Sequence, residues 1–123
     1  MTRIKLSNLS NEELVQRFVE LAIQQDMALL SGALREVNKL FWKLEAIKNE
    51  LKSRPGDQRS VLLTLYDHKN RQVQVKAAKA TLAIAPEAAR AKLQAIRDSG
   101  WQPQALDAGM CLWTIEQGIY TPS

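Results

Sequence analysis

Residues 60–96 read SVLLTLYDHKNRQVQVKAAKATLAIAPEAARAKLQAI, and this stretch decides the fold. A short apolar run is followed by a polar turn, an alanine-rich amphipathic segment, a proline and a second amphipathic segment. Alanines allow two helix backbones to approach closely, and Pro86 suits the first position of a helix. The pattern is typical of helical hairpins that stack on one another.

The rest of the chain also shows helical periodicity. Ser10 and Glu13 have the spacing of a capping box, and apolar residues then recur every three or four positions. Gly and Pro residues, together with the capping residues Asp57 and Asn70, separate the periodic segments. Because no segment alternates with the period of a strand, we predict an all-α fold. Its helices are expected at about 11–30, 34–53, 58–67, 71–85, 86–99 and 104–117.

The apolar stripes of these helices predict the core. On the second helix a seam begins at Leu34, and Phe41 and Trp42 beside it are expected to enlarge the buried face. The fourth helix is apolar over so much of its circumference that we expect neighbours on two sides. The residues predicted to be buried are Phe18, Leu40, Leu44, Val73, Ala77, Ala80 and Ile84.

Length and charge place limits on the class of protein. With 123 residues the chain suits one domain, residues 1–123, and its net charge of +4 is modest. The N-terminus lacks the apolar core of a secretory signal, and all apolar runs are far shorter than the ~20 residues of a membrane helix. The single cysteine, Cys111, excludes an internal disulfide and suits a reducing compartment. We therefore expect a cytoplasmic protein that does not bind a membrane.

Residue types that catalysis or metal binding needs are sparse. His68 is the single histidine and lies in a predicted turn, where a solvated histidine is ordinary. Cys111 lies in an apolar context that raises a thiol pKa, so it suits core packing better than nucleophilic chemistry. Phosphate-binding, zinc and nucleophile-elbow motifs are absent from the sequence. We predict no catalytic residue, no cofactor, no metal and no enzymatic activity.

Two surface features are candidates for binding. The first is a basic arc at the fourth predicted helix, which consists of Lys69, Gln72, Lys76 and Lys79 and is extended by Arg59 and Arg71. It can meet phosphate, although a solvated helix face explains the same pattern. Trp101 lies in a loop between Gly100 and Pro103 and is expected to be exposed, whereas the helical spacing of Trp113 favours the core. The candidate binding surface consists of Arg59, Lys69, Arg71, Lys76, Lys79 and Trp101.

Four segments carry a resemblance to a known family: LVQRF at 14–18, GDQR at 56–59, AAKATLAIAP at 77–86 and DAGMCLW at 107–113. Through them the chain resembles a small bacterial family of HEAT-like proteins that is classified only as a domain of unknown function. The resemblance implies a right-handed α-α superhelix of about six helices in HEAT-like hairpins. It implies no activity.

Two classes of function agree with these observations. The first is a non-enzymatic protein-protein interaction module that binds a protein partner over successive repeats. A specific bacterial form of it is an immunity protein that neutralises a toxin encoded next to it. The alternative is nucleic-acid binding through the basic helix face, which requires the basic residues to converge on one surface.

Overall fold

The computed structural model describes residues 5–123, and this part of the chain is all-helical. The α-helices are α1 (Asn11–Ser31), α2 (Leu34–Ser53), α3 (Arg71–Ala80), α4 (Pro86–Ser99) and α5 (Gln104–Glu116). A 3-10 helix covers Gln58–Asp67, and one short 3-10 turn, Leu6–Asn8, precedes α1. No strand occurs between residues 5 and 123, so the prediction of an all-α fold with about six helices is confirmed.

The chain divides into two compact units, one ending at Val61 and the other running from Leu62 to Ser123. A single domain over residues 1–123 remains a prediction. Within residues 5–123, no helix combines the length and the apolar character needed to cross a membrane.

The first unit is built on the helical hairpin of α1 and α2. The predicted capping box is present: the backbone N–H of Glu13 donates to Ser10 Oγ (3.1 Å), and that of Ser10 donates to Glu13 Oε1 (3.0 Å). Gly32 ends α1 in the left-handed conformation with φ 72°, which glycine adopts at little cost. Inside the hairpin Gln25 is buried, and its Nε2 donates to the carbonyl of Val37 (3.1 Å).

Arg54 ties the end of this hairpin to the segment before α1. Its Nε donates to Glu50 Oε2 (2.9 Å) and its Nη1 to Asn11 Oδ1 (2.8 Å). Its Nη2 donates to the backbone carbonyls of Leu6 (3.1 Å) and Leu9 (2.6 Å). The planar guanidinium thus satisfies carbonyls that lie outside any α-helix.

The third predicted helix is present as a 3-10 helix, Gln58–Asp67. Asp57 precedes it with a φ of 49°, a conformation that Asp tolerates better than most residues. As predicted, its carboxylate caps the helix, because Oδ1 accepts from the backbone N–H of Arg59 (3.3 Å). The carboxylate also binds the side chain of Arg59, which is buried.

In the second unit α3, α4 and α5 pack against one another, and α3 contacts both other helices. The expectation that this helix has neighbours on two sides is therefore confirmed. Asn70 caps it as predicted, since its Oδ1 accepts from the backbone N–H groups of Gln72 (2.8 Å) and Val73 (3.1 Å). Apolar side chains of the three helices, together with Leu82 of the turn after α3, form one core cluster, which consists of Val75, Ala78, Leu82, Ala89, Leu93, Ile96, Ala108, Cys111 and Leu112.

Helix α3 ends at Ala80, five residues before the predicted end at Ala85. Thr81 follows it, fully buried, and its Oγ1 donates to the carbonyl of Ala77 (2.9 Å) and is hydrogen-bonded to the Tyr66 hydroxyl (2.5 Å). Pro86 disfavours helical conformation at the residue before it, and Ala85 has φ −141°. The hydrogen bonds of Thr81 thus hold one end of the 81–85 segment and Pro86 constrains the other, and Pro86 begins α4 as predicted.

Six of the seven residues predicted to be buried are buried, and Ile84 is the exception. Ile84 is half-buried because it lies in the turn after α3 and not on its stripe. Two further expectations for α2 are wrong, since Leu34 and Trp42 are exposed. Leu34 opens α2 next to the hairpin turn, and Trp42 lies two residues from Leu40, about 200° around the helix from the seam.

Candidate interaction surface

The basic arc predicted around the fourth helix is not present as a free surface. Arg59 is buried, its Nη2 lies 2.7 Å from Asp57 Oδ2, and it belongs to the first unit, whereas α3 belongs to the second. The guanidinium of Arg59 therefore does not extend the arc, and this part of the prediction is corrected. The reason is local, because a carboxylate two residues away offers a bidentate partner.

Other members of the arc also have partners within the second unit. Lys79 Nζ lies 2.9 Å from Asp107 Oδ1 of α5. Gln72 is buried, and its Oε1 accepts from Gln104 Nε2 (2.8 Å). Lys69 is exposed and Lys76 is half-buried. Gln72 and Lys79 of the arc thus contribute to the contact between α3 and α5.

Trp101 is exposed, as predicted, in the loop between α4 and α5. The guanidinium of Arg71 lies over its ring, 4.6 Å from the ring centroid, which is a favourable cation-π arrangement. The loop backbone is held at both ends, since Ser99 Oγ accepts from the N–H of Trp101 (3.2 Å) and the carbonyl of Trp101 accepts from the N–H of Ala105 (2.8 Å). Two of the candidate residues, Arg71 and Trp101, are thus brought together.

An apolar stripe on the outer face of α5 was not foreseen. Leu106, Met110 and Trp113 are 63%, 52% and 48% exposed, respectively. At 100° per residue they share an arc of about 60°, and we call these three residues the α5 stripe. The opposite face of the same helix is buried in the core through Ala105, Ala108, Cys111 and Leu112.

Trp113 is therefore exposed, and its predicted place in the core is wrong. Helix α5 is apolar on two opposite faces, and helical spacing alone does not say which face is buried. A signal was present in the sequence: the face that is buried has the smaller side chains, and small residues allow close contact with α3 and α4. The face with the large side chains, Leu106, Met110 and Trp113, points away from the core.

The basic residues end shortly before the α5 stripe begins. The last basic residue is Arg97, and residues 98–123 contain Asp98, Asp107 and Glu116 without any Lys or Arg. The α5 stripe therefore lies in an acidic segment of a chain whose net charge is +4.

Burial and hydrogen bonds determine the environment of three titratable groups of the second unit. Burial raises the pKa of the Cys111 thiol above its usual value, and the carboxylate of Asp107 acts in the same direction while Lys79 opposes both. Burial also raises the pKa of the Tyr66 hydroxyl, against a smaller lowering from its hydrogen bond with Thr81. His68 Nδ1 accepts from the backbone N–H of Asn70 (3.0 Å), so the imidazole stabilises the turn before α3. Among residues 5–123, no three metal-ligating side chains come together.

Comparison with solved structures finds a similar chain in the crystal structure of the protein RPA1889 from Rhodopseudomonas palustris CGA009. The two share 44% sequence identity with a TM-score of 0.94, over 98% of this chain and 100% of that one. A search of curated protein sequences finds no match. A family model described as a domain of unknown function, DUF2019, matches residues 12–116. These residues are most of the chain, and the protein therefore belongs to the DUF2019 family.

Proposed function

We propose that this chain is a non-enzymatic protein-interaction domain of the cytoplasm that docks a protein partner on the α5 stripe. The observation that carries the proposal is the exposure of Leu106, Met110 and Trp113 on one face of a helix whose other face is in the core. Three residues spaced i, i+4 and i+7 match the way in which a helix face is recognised in peptide and protein complexes.

The chemistry of the stripe suits a binding site. Trp is enriched among residues that dominate binding energy, and Met adapts its shape to different partners. Covering the exposed parts of these side chains stabilises a complex by about 1 kcal/mol for each residue. Trp101, with its ring beneath Arg71, adds a second exposed aromatic residue just before α5.

The HEAT-like arrangement forms part of this proposal. Support comes from the contact of consecutive helices, α1 with α2 and α4 with α5, because stacked hairpins are the units of a right-handed α-α superhelix. The immunity form of the function, in which the partner is a toxin encoded next to this chain, is a special case of the same proposal.

Nucleic-acid binding through the basic helix face has weaker support. Lys79 lies against Asp107, and Arg59 is buried against Asp57. Fewer lysine and arginine side chains are therefore available to bind a phosphate backbone than the sequence predicted.

The proposal predicts that one change in the stripe removes the partner. Trp113→Gln deletes the largest side chain of the α5 stripe, and Trp42→Gln is a matched control because Trp42 is an exposed tryptophan of the first unit. We expect a partner that co-purifies with the tagged wild-type chain from its native cell to be recovered equally with Trp42→Gln. With Trp113→Gln its recovery should fall about tenfold or more.

Quantitative mass spectrometry of the three purifications measures this difference. Equal recovery of every co-purifying protein with wild type and Trp113→Gln would contradict the proposed docking surface. Identification of an adjacent gene product among the lost proteins would support the immunity form.

A further inference from the structure

We infer that the outer face of α2 binds a single-stranded nucleic acid, with three cations on its phosphates and one base stacked on a tryptophan. The surface consists of Arg35, Lys39, Trp42 and Lys43, and we call it the α2 basic face. It belongs to the first unit, whereas α3 and the α5 stripe belong to the second. The inference therefore goes beyond the proposed function and does not rest on it.

The four side chains of the α2 basic face are all exposed, and that of Trp42 is 63% exposed. At 100° per residue they share an arc of about 100°. The core-facing residues of the same helix lie outside this arc and are Leu40, Leu44, Ile47 and Leu51. An exposed aromatic ring among cations is the combination with which proteins bind single strands.

The charge of this face is positive because the carboxylates of α2 are engaged elsewhere or lie beside it. Glu45 Oε2 lies 2.8 Å from Lys48 Nζ, and Glu50 Oε2 lies 2.9 Å from Arg54 Nε. Glu36 lies just outside the arc, in the first turn of the helix, where a carboxylate complements the helix dipole. The three cations of the α2 basic face thus favour an anionic ligand.

The spacing of these cations suits a chain of phosphates. Arg35, Lys39 and Lys43 follow one another in steps of four residues, so their Cα atoms are about 6 Å apart along the helix axis. A stretched single strand can match this distance, because its charges are not held at the rise of roughly 3.4 Å per nucleotide of a duplex strand. The planar guanidinium of Arg35 can also bind one phosphate through two hydrogen bonds.

Trp42 supplies the contact that phosphate binding alone lacks. Its ring meets the half-buried ring of Phe41 edge to face, with the centroids 5.0 Å apart and 80° between the planes. This contact orients the indole and leaves most of its surface exposed. Unpaired bases stack on exposed aromatic rings whatever their sequence. Because the bases of a duplex stack on one another, Trp42 favours a single strand.

Two other anionic partners match this face less well. A helix that lies on an anionic bilayer buries a whole apolar face, whereas Trp42 is the single large apolar residue of the α2 basic face. An acidic protein segment can pair with the cations, but its carboxylates leave the indole without a stacked ring. Both partners are therefore included in the experiment.

Fluorescence anisotropy of a labelled strand of about six deoxythymidines tests the inference. At about 50 mM salt the wild-type chain should bind with a Kd of about 10 to 100 µM. Three phosphate contacts on a single strand give a salt slope of about −2, so the Kd should rise about twentyfold between roughly 50 and 200 mM salt. Absence of binding up to about 1 mM protein at the lower salt concentration would overturn the inference.

Replacement of the cations tests the site. One variant changes the three cations of the α2 basic face to glutamine, as Arg35→Gln, Lys39→Gln and Lys43→Gln. Its Kd at about 50 mM salt should rise tenfold or more, and most of the salt dependence should disappear. The matched control removes the same charge from the second unit, as Lys69→Gln, Lys76→Gln and Lys79→Gln, and should bind like the wild type.

Thermal melts followed by circular dichroism establish that both triple variants are folded. Equal loss of affinity in the two variants would contradict the site, because net charge and not the α2 basic face would then govern binding.

Variants of Trp42 separate stacking from charge. Trp42→Leu keeps every cation, so it should raise the Kd about tenfold without changing the salt slope. Trp42→Phe retains an aromatic ring and should keep most of the wild-type affinity. A Trp42→Leu chain that binds like the wild type would overturn the assignment of a stacked base.

Three further probes identify the class of ligand. They are a DNA hairpin with a stem of about six base pairs, a peptide of about six glutamates, and vesicles of phosphatidylcholine with phosphatidylserine. The wild-type chain should bind the single strand more tightly than each of them, because the single strand alone offers both phosphates and unstacked bases. Tighter binding to any one of the three would overturn the inference in favour of that ligand.

Discussion

Asp57 and Arg59 form an ion pair of the first unit in which the guanidinium is buried. Hydrogen bonds from Arg59 hold the pKa of the Asp57 carboxyl below its usual value of 3.8. A carboxyl whose pKa is lowered by folding stabilises the fold at pH values above its ordinary pKa. This contribution is lost as the pH falls through the lowered value.

We therefore expect Asp57→Asn to destabilise the protein near neutral pH by roughly 1 kcal/mol, because the buried guanidinium loses a charged acceptor. The difference from wild type should shrink as the pH falls below the ordinary pKa of the carboxyl. Urea unfolding at a series of pH values measures this difference in the free energy of unfolding. Asp98→Asn is the control, since Asp98 also pairs with an arginine but is largely exposed, and its effect should be small at every pH.

Residue-level features with a local cause could be predicted from the sequence. The Ser10–Glu13 box depends on residues three positions apart, and so does the cap formed by Asn70. Trp42 and Trp113 were assigned to buried faces and are exposed. Trp42 lies about 200° around α2 from the apolar seam, and the face of α5 opposite Trp113 carries the smaller side chains, so both exposures had a local sign. Apolar spacing alone did not reveal it, because burial depends on which neighbouring helix covers which face.

At the scale of the element, α3 is the most enclosed helix of the second unit. Six of its ten residues are buried, which leaves little surface for substitution. Ala77 is fully buried, so the carboxylate introduced by Ala77→Glu would have no access to water.

We expect Ala77→Glu to unfold the second unit or to lower its stability by about 3 kcal/mol or more. The matched control is Ala88→Glu, at an exposed position of α4, where the same substitution should change stability little. Thermal melts followed by circular dichroism compare the two. An Ala77→Glu variant with the wild-type melting temperature would contradict the packing of α3 described here.

Helix boundaries were predictable wherever glycine, proline or a cap marks them, as at Gly32, Pro86 and Gly100. The end of α3 was not predicted, because it depends on the buried hydrogen bond of Thr81 with Tyr66, fifteen positions away. The 3-10 character of Gln58–Asp67 was also missed, since apolar spacing of three residues fits both kinds of helix.

At the scale of the whole molecule, the prediction concerns DNA. Changing Lys69, Lys76 and Lys79 to Gln should alter duplex affinity little, because Lys79 is paired with Asp107 and exposed lysines give only weak, screened attraction. Lys39→Gln, Lys43→Gln and Lys48→Gln in one chain remove the same charge from α2 and serve as the control. Fluorescence anisotropy over a range of salt concentrations measures the affinity.

Micromolar or tighter DNA binding at physiological salt, abolished only by the first set of changes, would favour the nucleic-acid alternative.

The candidate surface shows what sequence could predict at this scale. The exposure of Trp101 follows from its position between a glycine and a proline. The ion pair of Lys79 with Asp107 needed the fold, because the two residues are 28 positions apart in the sequence.

The hydrogen bonds of Arg54 have a consequence for where this domain begins. The family match starts at residue 12, yet Arg54 Nη2 donates to the carbonyls of Leu6 and Leu9. A chain shortened to residues 12–116 would keep the guanidinium of Arg54. It would lose Asn11 and the carbonyls of Leu6 and Leu9, which accept hydrogen bonds from that guanidinium. Truncation at the edge of sequence similarity therefore removes acceptors that bind Arg54 after the end of α2, and the hydrogen-bonded structure of the first unit extends several residues upstream of the boundary that similarity marks.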